Sequence, residues 1–218
     1  MYKIEKIVDL SHPLTANTPV YPGDPVPGFS VATTVENEGY NLFNVLLGSQ
    51  SGSHVDAPYH FSNRGATIDQ MDLGYFIGTG LIIDVRNKGS NEEISLEEIK
   101  QHEQHIETAQ MVLFNTNWYK KAGTAEFFEH PYLSRAGGEY LLSKGSMTVG
   151  IDTINLDRTG GTEFPIHDMY SQAGGIIVEN LAGLDQVDFE NPLIICLPLK
   201  LIGCDGSPIR AVAVKLVS

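Results

Sequence analysis

The sequence predicts a mixed α/β fold in which strands form most of the core and short helices lie at the periphery. Short apolar or β-branched runs recur along the whole chain, separated by turns rich in Gly and Pro. Helical patterns are few and short, and they do not alternate with the strands as in a doubly wound fold. No repeat, low-complexity tract or shift in composition divides the chain, so we expect one domain spanning residues 1–218.

The N-terminal part of the chain predicts strands joined by turns and by one proline-rich loop. Residues 4–10 predict a first strand that ends before Pro13, because proline cannot donate to a sheet ladder. Five prolines stiffen the loop over residues 13–28, since each proline fixes its own backbone dihedral. Two further predicted strands flank a turn, at residues 29–35 and 41–47.

The remaining elements alternate strands with short helices. A β-branched run at residues 79–85 is typical of a strand buried on both faces. Ser95 stands three residues before Glu98, which is the spacing of a capping box and predicts a helix to about residue 105. The other predicted elements are strands at 111–115, 147–151, 176–178, 192–201 and 209–217, and helices that begin after Ser134 and at Pro165.

Charge and cysteine content exclude several classes of protein. The net charge is −13, from 27 acidic residues against 14 Lys and Arg, and such a surface repels the phosphate backbone of nucleic acids. No basic run suggests an anionic membrane, no apolar run is long enough for a transmembrane helix, and no signal-peptide pattern opens the chain. Cys196 and Cys204 form no disulfide framework, so we expect two buried thiols in the reducing cytoplasm.

The strongest chemical signal lies between Gln50 and His60. Side chains of an extended chain alternate faces, so His54 and Asp56 should point to one side, with Gln50 further back on that side. Pro58 should end the strand and place His60 on the loop just past it. Such a cluster of ligand types indicates a cation site. The alternative is a buried Asp–His hydrogen bond that only orients a turn.

A second stretch offers two more potential ligands. Pro165 suits the first position of a helix, which places His167 in the first turn of that helix. The apolar strand at residues 176–178 delivers Glu179, and a carboxylate there is costly unless it is paired or bound to a metal. The alternative is a salt bridge from Glu179 to Arg158 or Arg210.

Two aromatic residues are candidates to contact a ligand. Tyr21 lies at the tip of the proline-rich loop, where it could face a ligand. The alternative is that its ring packs beneath that loop. Trp118 follows a strand end, where α/β folds place their ligand-binding sites, so it could line a pocket. The alternative is that its ring caps the core.

Both stretches together resemble the cyclase family of metal-dependent hydrolases, which includes kynurenine formamidases and isatin hydrolases. The family motif His-x-Gly-Thr-His-x-Asp-x-Pro-x-His aligns with residues 50–60, and other segments are similar over most of the chain. The resemblance implies a swivelling β/β/α domain that assembles as a homodimer or homotetramer. It also implies that the metal ligands are His54, Asp56, His167 and Glu179, and that His60 transfers protons.

The chain departs from the family pattern at two positions. Gln50 stands where the family usually has its first histidine, and an amide oxygen is a harder and weaker ligand than imidazole. As a metal ligand, Gln50 would shift the expected preference from zinc toward manganese or leave one of two sites weak. Tyr21 stands where kynurenine formamidases usually place a tryptophan against the aromatic ring of the substrate, so this departure bears on which substrate is used.

The sequence therefore predicts a metal-dependent hydrolase of a small linear or cyclic amide, such as N-formylkynurenine or a related aryl amide. One or two divalent cations, zinc before manganese, would activate water, with His60 as proton shuttle. The alternative is a non-catalytic member that binds a cation or small ligand at a degenerate site. A scaffolding protein ranks last, because repeats, coiled-coil patterns and charged tails are missing from the sequence.

Overall fold

The computed structural model of the chain describes residues 2–217. The strands are β1 (Lys3–Asp9), β2 (Gly28–Thr33), β3 (Leu42–Leu46), β4 (His54–Asp56), β5 (Ile77–Asp84), β6 (Glu93–Ile94), β7 (Met111–Asn115), β8 (Tyr132–Leu133), β9 (Thr148–Ile151), β10 (Ile176–Glu179), β11 (Leu193–Ile195), β12 (Gly206–Pro208) and β13 (Val212–Val217). The α-helices are α1 (Val35–Glu38), α2 (Leu96–Lys100), α3 (Glu103–Ile106), α4 (Arg135–Ser143) and α5 (Pro165–Ala173). Within residues 2–217, every helix is too short or too polar to cross a membrane.

A nine-stranded mixed sheet dominates the molecule, in the order β1-β13-β11-β5-β7-β9-β10-β4-β12. Its centre is parallel from β5 through β10, and antiparallel strands continue the sheet on both sides. Alternate residues of β7 enter two different apolar clusters, Met111 and Leu113 on one face and Val112 and Phe114 on the other. Strand β7 is therefore buried on both faces, as expected for a parallel strand covered from both sides. This architecture confirms the predicted mixed α/β class.

Two predicted elements are shorter in the structure than in the prediction. The helix after Ser95 has the predicted capping box, but it divides into α2 and α3 because His102 leaves the helical region with φ −105° and ψ 12°. The strand predicted over residues 192–201 is ordered as β11 for three residues only. Pro198 forms an isolated bridge to Ile209 beyond it, and a proline lacks the N–H that a continuing ladder requires.

Helix α4 contains two adjacent glycines at close contacts with its neighbours. A Cβ atom on Gly137 would lie 2.5 Å from Ile99 Cδ1 of α2. A Cβ atom on Gly138 would lie 2.7 Å from Ile166 Cδ1 and 2.8 Å from Met169 Sδ, both on α5. The two glycines lower the helix propensity of α4, but they allow α4 to pack closely against α2 and α5.

Strands β2 and β3 form a separate two-stranded hairpin, with α1 in the connection between them. The hairpin belongs to neither face of the large sheet, and most of its residues are exposed. It follows the proline-rich loop and precedes the stretch that leads to β4.

His130 is a buried neutral imidazole that makes stability depend on pH. Its Nδ1 lies 2.8 Å from the Pro131 carbonyl oxygen and its Nε2 lies 2.8 Å from Thr159 Oγ1. Burial lowers the pKa of His130 from 6.5 to about 4, with the Pro131 carbonyl acting in the opposite direction. Because the unfolded chain binds this proton more readily, the folded state should lose about 3 kcal/mol as the pH falls from 7 to 4.

Urea unfolding of the wild type and of His130→Gln at pH 7 and pH 4 tests this expectation. The stability advantage of the wild type over the variant should shrink by about 3 kcal/mol between the two pH values. An advantage that stays constant would show that His130 does not titrate in this range.

Candidate metal centre

The centre is built where β4 lies between β10 and β12. The antiparallel register pairs His54 with Glu179 and Asp56 with Ile177 across β4 and β10. His54 and Asp56 point to the same side, with His54 Nε2 lying 3.5 Å from Asp56 Oδ1. Glu179 Oε2 lies 3.5 Å from the same nitrogen. Glu179 at the end of β10 and the two end residues of β4, His54 and Asp56, therefore direct their side chains to one point.

Helix α5 brings the second imidazole, and Asp157 fixes its orientation. The Asp157 carboxylate accepts the backbone N–H of His167 at 3.1 Å and lies 2.7 Å from His167 Nδ1. This contact leaves Nε2 directed at the cluster, 3.5 Å from Asp56 Oδ2 and 3.4 Å from Glu179 Oε1. His54 is oriented in the same way, because its Nδ1 lies 2.8 Å from the Gly52 carbonyl oxygen. In metal-binding histidines, the ring nitrogen that does not face the metal typically makes a contact of this kind.

The spacing of these atoms fits a divalent cation. Ligands about 2.0–2.1 Å from a tetrahedral zinc ion lie roughly 3.3–3.4 Å from one another, close to the observed nitrogen–oxygen separations. Both oxygens of Asp56 are buried and accept no hydrogen bond from any described residue. A buried carboxylate without a hydrogen-bond donor is costly unless positive charge lies beside it, either a metal cation or a protonated imidazole. The separation of 3.5 Å between His54 Nε2 and Asp56 Oδ1 therefore favours a cation site over the alternative in which Asp56 only orients a turn through a hydrogen bond to His54.

The alternative salt bridge of Glu179 to an arginine is wrong. Arg158 donates to Asn91, and Arg210 pairs with Asp9 on the surface. Glu179 is 3% exposed, and its Oε1 accepts the backbone N–H of Leu156 at 2.6 Å. Among residues 2–217, the positive groups beside Glu179 are therefore the two imidazoles of the cluster.

The titration of the cluster follows from this charge balance. Burial lowers the pKa of His54, but the carboxylates of Asp56 and Glu179 outweigh burial and raise that pKa to about 9. The pKa of His167 is likewise raised well above its ordinary value, as Glu179, Asp157 and Asp56 outweigh burial. Protons thus occupy the imidazoles when no cation is present, and cation binding must displace them.

His60 lies beside the cluster on a 3-10 turn, Pro58–His60, as the sequence predicts for a residue just past Pro58. Its Nδ1 lies 2.8 Å from Asp205 Oδ2. Burial lowers the pKa of His60, but the hydrogen bond that its ring donates to Asp205 and the charge of Asp56 raise that pKa above its ordinary value overall. The same contact holds the pKa of Asp205 well below its usual range. His60 and Asp205 form a half-buried dyad at the rim of the centre.

Gln50 joins this dyad through its amide. Its Nε2 donates to Asp205 Oδ2 at 3.1 Å, which fixes the amide orientation because a carboxylate only accepts. Its Oε1 is buried and without a hydrogen-bond partner among the described residues. That oxygen remains available as a ligand, and Gln50 lines the same cavity as His54 and His60.

A cavity of about 290 Å³ opens over the centre and has aromatic walls. Tyr21 lines it and meets Phe164 edge-on, with 6.5 Å between ring centroids. Phe61 lies 5.5 Å from Phe164 and 4.6 Å from the His167 ring. Trp118 is 5% exposed, donates from Nε1 to the Glu126 carbonyl oxygen and packs in a separate cluster outside this cavity. Trp118 therefore caps the core, which is one of the two alternatives that the sequence leaves open, and it is not among the described residues that line this cavity.

Apart from its histidines, the cavity wall carries carboxylates and no strongly basic side chain. None of the described residues that line it is Lys or Arg, whereas Asp24 lies in the lining. Burial is the main reason that the pKa of Asp24 is raised. No described residue donates a hydrogen bond to its carboxylate within the chain, so Asp24 is free to accept one from a ligand.

The sequence of this chain is similar to a protein family and to characterised relatives. The family model described as "Putative cyclase" matches residues 8–158. The chain is 32% identical to the kynurenine formamidase of Bacillus cytotoxicus over 213 residues, which cover 96% of this chain and 98% of that one. It is 33% identical to the kynurenine formamidase of Bacillus cereus over 212 residues, with 96% and 98% coverage.

Two solved structures share the fold over nearly the whole chain. An isatin hydrolase bound to the product analogue thioisatinate superposes with a TM-score of 0.87 at 26% identity, covering 96% of this chain and 92% of that one. A potential metal-dependent hydrolase with cyclase activity superposes with a TM-score of 0.77 at 27% identity, covering 96% and 97%. The large mixed sheet and the buried imidazole–carboxylate cluster define a protein of the metal-dependent hydrolase class. Within that class, the chain belongs to the cyclase family.

Proposed function

We propose that this chain hydrolyses an aryl amide, either a linear formamide or a cyclic lactam, at the centre formed by His54, Asp56, His167 and Glu179. The chain is a metal-dependent amide hydrolase by its kinship to formamidases and to an isatin hydrolase. The observation that carries the assignment to these residues is the buried carboxylate of Asp56, which faces two imidazoles and has no hydrogen-bond donor.

A divalent cation fits the donor set, with zinc as our first choice. Two imidazole nitrogens suit zinc, whereas the carboxylates and the amide oxygen of Gln50 also suit manganese. Asp56 and Glu179 each face both imidazoles, an arrangement that supports one ion or two. When bound, the cation supplies polarisation of the scissile carbonyl and a lowered pKa of water, to about 7 in favourable cases.

We assign the proton transfers to His60. The contact of Nδ1 with Asp205 fixes the ring so that Nε2 is the nitrogen free to exchange a proton in the cavity. His60 takes a proton from the attacking water and donates it to the leaving nitrogen of the amide, which restores its starting state. Asp205 acts as a positioning residue, because it orients His60 without touching the substrate.

The walls of the cavity favour a flat aromatic substrate. Phe61, Phe164 and Tyr21 offer ring faces and edges, which pack well against an aryl amide. The carboxylate of Asp24 favours substrates with an amine or another donor and disfavours anionic ones. N-formylkynurenine, which carries both an ammonium and a carboxylate group, and isatin-like lactams are the natural first candidates.

A substrate panel with the zinc-loaded and manganese-loaded protein tests this proposal. Formanilide should be hydrolysed with a kcat/KM about tenfold above that of N-formylanthranilate, because the latter carries a carboxylate into an acidic cavity. N-formylkynurenine, isatin and an aryl lactone complete the panel. Bound metal without turnover of any member would instead support the non-catalytic alternative.

The two cysteines support a location in a reducing compartment, and we propose the cytoplasm. Cys196 is buried and Cys204 is half-buried, and both are free thiols. Burial raises the pKa of Cys196 to about 12, so this thiol is inert toward oxidation.

A further inference from the structure

A second and smaller cavity lies beside the cavity over the metal centre. We call the smaller one the side chamber and the larger one the catalytic cavity. The side chamber has a volume of about 190 Å³, and its lining includes His12, Phe127 and Asn180. Asn180 and Pro19 line the catalytic cavity as well. Because Asn180 directly follows Glu179, with about 3.8 Å between their Cα atoms, the side chamber begins one residue from the cluster of candidate ligands.

Two buried polar atoms in this lining have no hydrogen-bond partner. Asn180 is 3% exposed, and its Oδ1 accepts no hydrogen bond from any of residues 2–217. His12 Nε2 is buried too, and it has no partner in the described part of the chain. A buried polar atom without a partner raises the free energy of the folded state. The two atoms therefore mark a place where a bound group would supply the missing hydrogen bonds.

Ser53 holds these two residues in a fixed relation to each other. Its Oγ accepts the backbone N–H of His12 at 2.9 Å and donates to the carbonyl oxygen of Asn180 at 2.6 Å. The His12 ring also meets the Tyr119 ring edge-on, with 6.0 Å between the ring centroids. Asn180 has a left-handed backbone with φ 56°, a conformation in which asparagine is enriched. The fold thus positions both side chains before any ligand binds, which lowers the entropic cost of binding.

The side chamber is uncharged at neutral pH. None of the described residues that line it is Asp, Glu, Lys or Arg. Burial lowers the pKa of His12, so its imidazole is neutral at pH 7. A carboxylate or an ammonium group would lose its hydration in this chamber without gaining a partner of opposite charge. The lining therefore favours an uncharged group that both donates and accepts hydrogen bonds.

We propose that the side chamber binds an uncharged polar substituent of the substrate, with a carboxamide as the best match. This inference rests on the proposed hydrolysis of an aryl amide and adds a specificity site to it. The N–H of the carboxamide donates to Asn180 Oδ1, and its carbonyl oxygen accepts from His12 Nε2 in the tautomer that carries the proton there. A chamber of about 190 Å³ beside a cavity of about 290 Å³ suits a substituent, with the aromatic ring held in the larger space.

Three substrates that differ at one ring position test the proposal with the zinc-loaded protein. The position next to the scissile amide carries a carboxamide in ortho-formamidobenzamide, the isosteric carboxylate in N-formylanthranilate and hydrogen in formanilide. The kcat/KM of ortho-formamidobenzamide should be about tenfold above that of formanilide, the gain expected from two neutral hydrogen bonds. N-formylanthranilate should remain below formanilide. Equal kcat/KM for the carboxamide and formanilide would overturn the side chamber and leave the proposed function intact.

Variants of the side chamber separate binding from the intrinsic reactivity of the substrates. His12→Phe keeps an aromatic ring beside Tyr119 and removes Nε2, and Asn180→Gly removes the amide at a left-handed position that glycine adopts freely. Each variant should lower the preference for the carboxamide over formanilide about threefold. His105→Phe makes the same substitution at an exposed position of α3 and should keep the wild-type preference. A wild-type preference in both chamber variants would overturn the proposal, because a general structural defect moves both substrates alike.

Binding of the hydrolysis product gives a measurement that requires no turnover. In calorimetric titrations, anthranilamide should bind the wild type about tenfold more tightly than aniline, and each chamber variant should reduce this difference about threefold. A protein that shows this binding preference but hydrolyses none of the three substrates would contradict the proposed function and support the side chamber. Equal affinity for anthranilamide and aniline would overturn the side chamber whatever the turnover.

Discussion

Replacing His60 with alanine should lower kcat by about 10²–10⁴-fold and leave the divalent cation in place. His60 stands at the rim of the centre with Nδ1 against Asp205, so its loss removes the proton acceptor without removing His54 or Asp56. The measurement is kcat on formanilide, together with the metal content of the same sample by elemental analysis. Wild-type turnover in His60→Ala would remove this residue from the mechanism.

Asp205→Asn serves as the matched variant for the same dyad. The amide keeps a polar contact to His60 but removes the negative charge that helps to raise its pKa. Because a general base acts when deprotonated, the acid limb of the pH–rate profile should move to lower pH, along with a smaller loss in kcat than in His60→Ala. A purely structural role of Asp205 would lower kcat without moving the profile.

Replacing Asp56 with asparagine should abolish tight cation binding and bring amide hydrolysis down to background. Asp56 faces both imidazoles and accepts no hydrogen bond from the described residues, whereas the Glu179 carboxylate also accepts the Leu156 N–H, so the charge of Asp56 is the more available to a cation. Calorimetric titration with zinc and with manganese measures the loss directly. Asp24→Asn, at the cavity wall, is the control that keeps the cation.

The same titration on the wild type has an expected dependence on pH. His54 has a pKa of about 9 without the cation, so at pH 7 it is protonated and must lose that proton when the cation binds. Affinity should therefore weaken as the pH falls from 9 toward 6, and heats measured in two buffers at pH 7 should show proton release. Wild-type affinity in Asp56→Asn, or binding without proton release, would contradict the assigned ligands.

The sequence predicted those parts of the centre that local rules control. The two-residue period of a strand placed His54 and Asp56 on one side, and Pro58 ended the strand before His60. The expected first turn of a helix for His167 is also confirmed, because α5 begins at Pro165. Each of these inferences required only neighbours in the chain and the conformational limits of proline and extended backbone.

The residues that the sequence analysis missed act through long-range pairing. Asp205 looked like an ordinary turn residue, and it meets His60 only because β12 pairs with β4 across about 150 residues of chain. Asp157 precedes α5 by several residues, and its contact with His167 depends on how the intervening loop folds back. The role of Phe164 was missed for the same reason, because its contact with Phe61 exists only in the folded cavity.

The paired glycines of α4 make the centre sensitive to a helix that contributes none of its ligands. Gly138 lies against Ile166 and Met169, the residues on either side of the His167 segment of α5. A large side chain there would first displace the flexible ends of the Ile166 and Met169 side chains and would then press on α5 beside His167. A substitution at this remote contact would therefore weaken cation binding in an otherwise folded protein, and excess cation in the assay should restore activity.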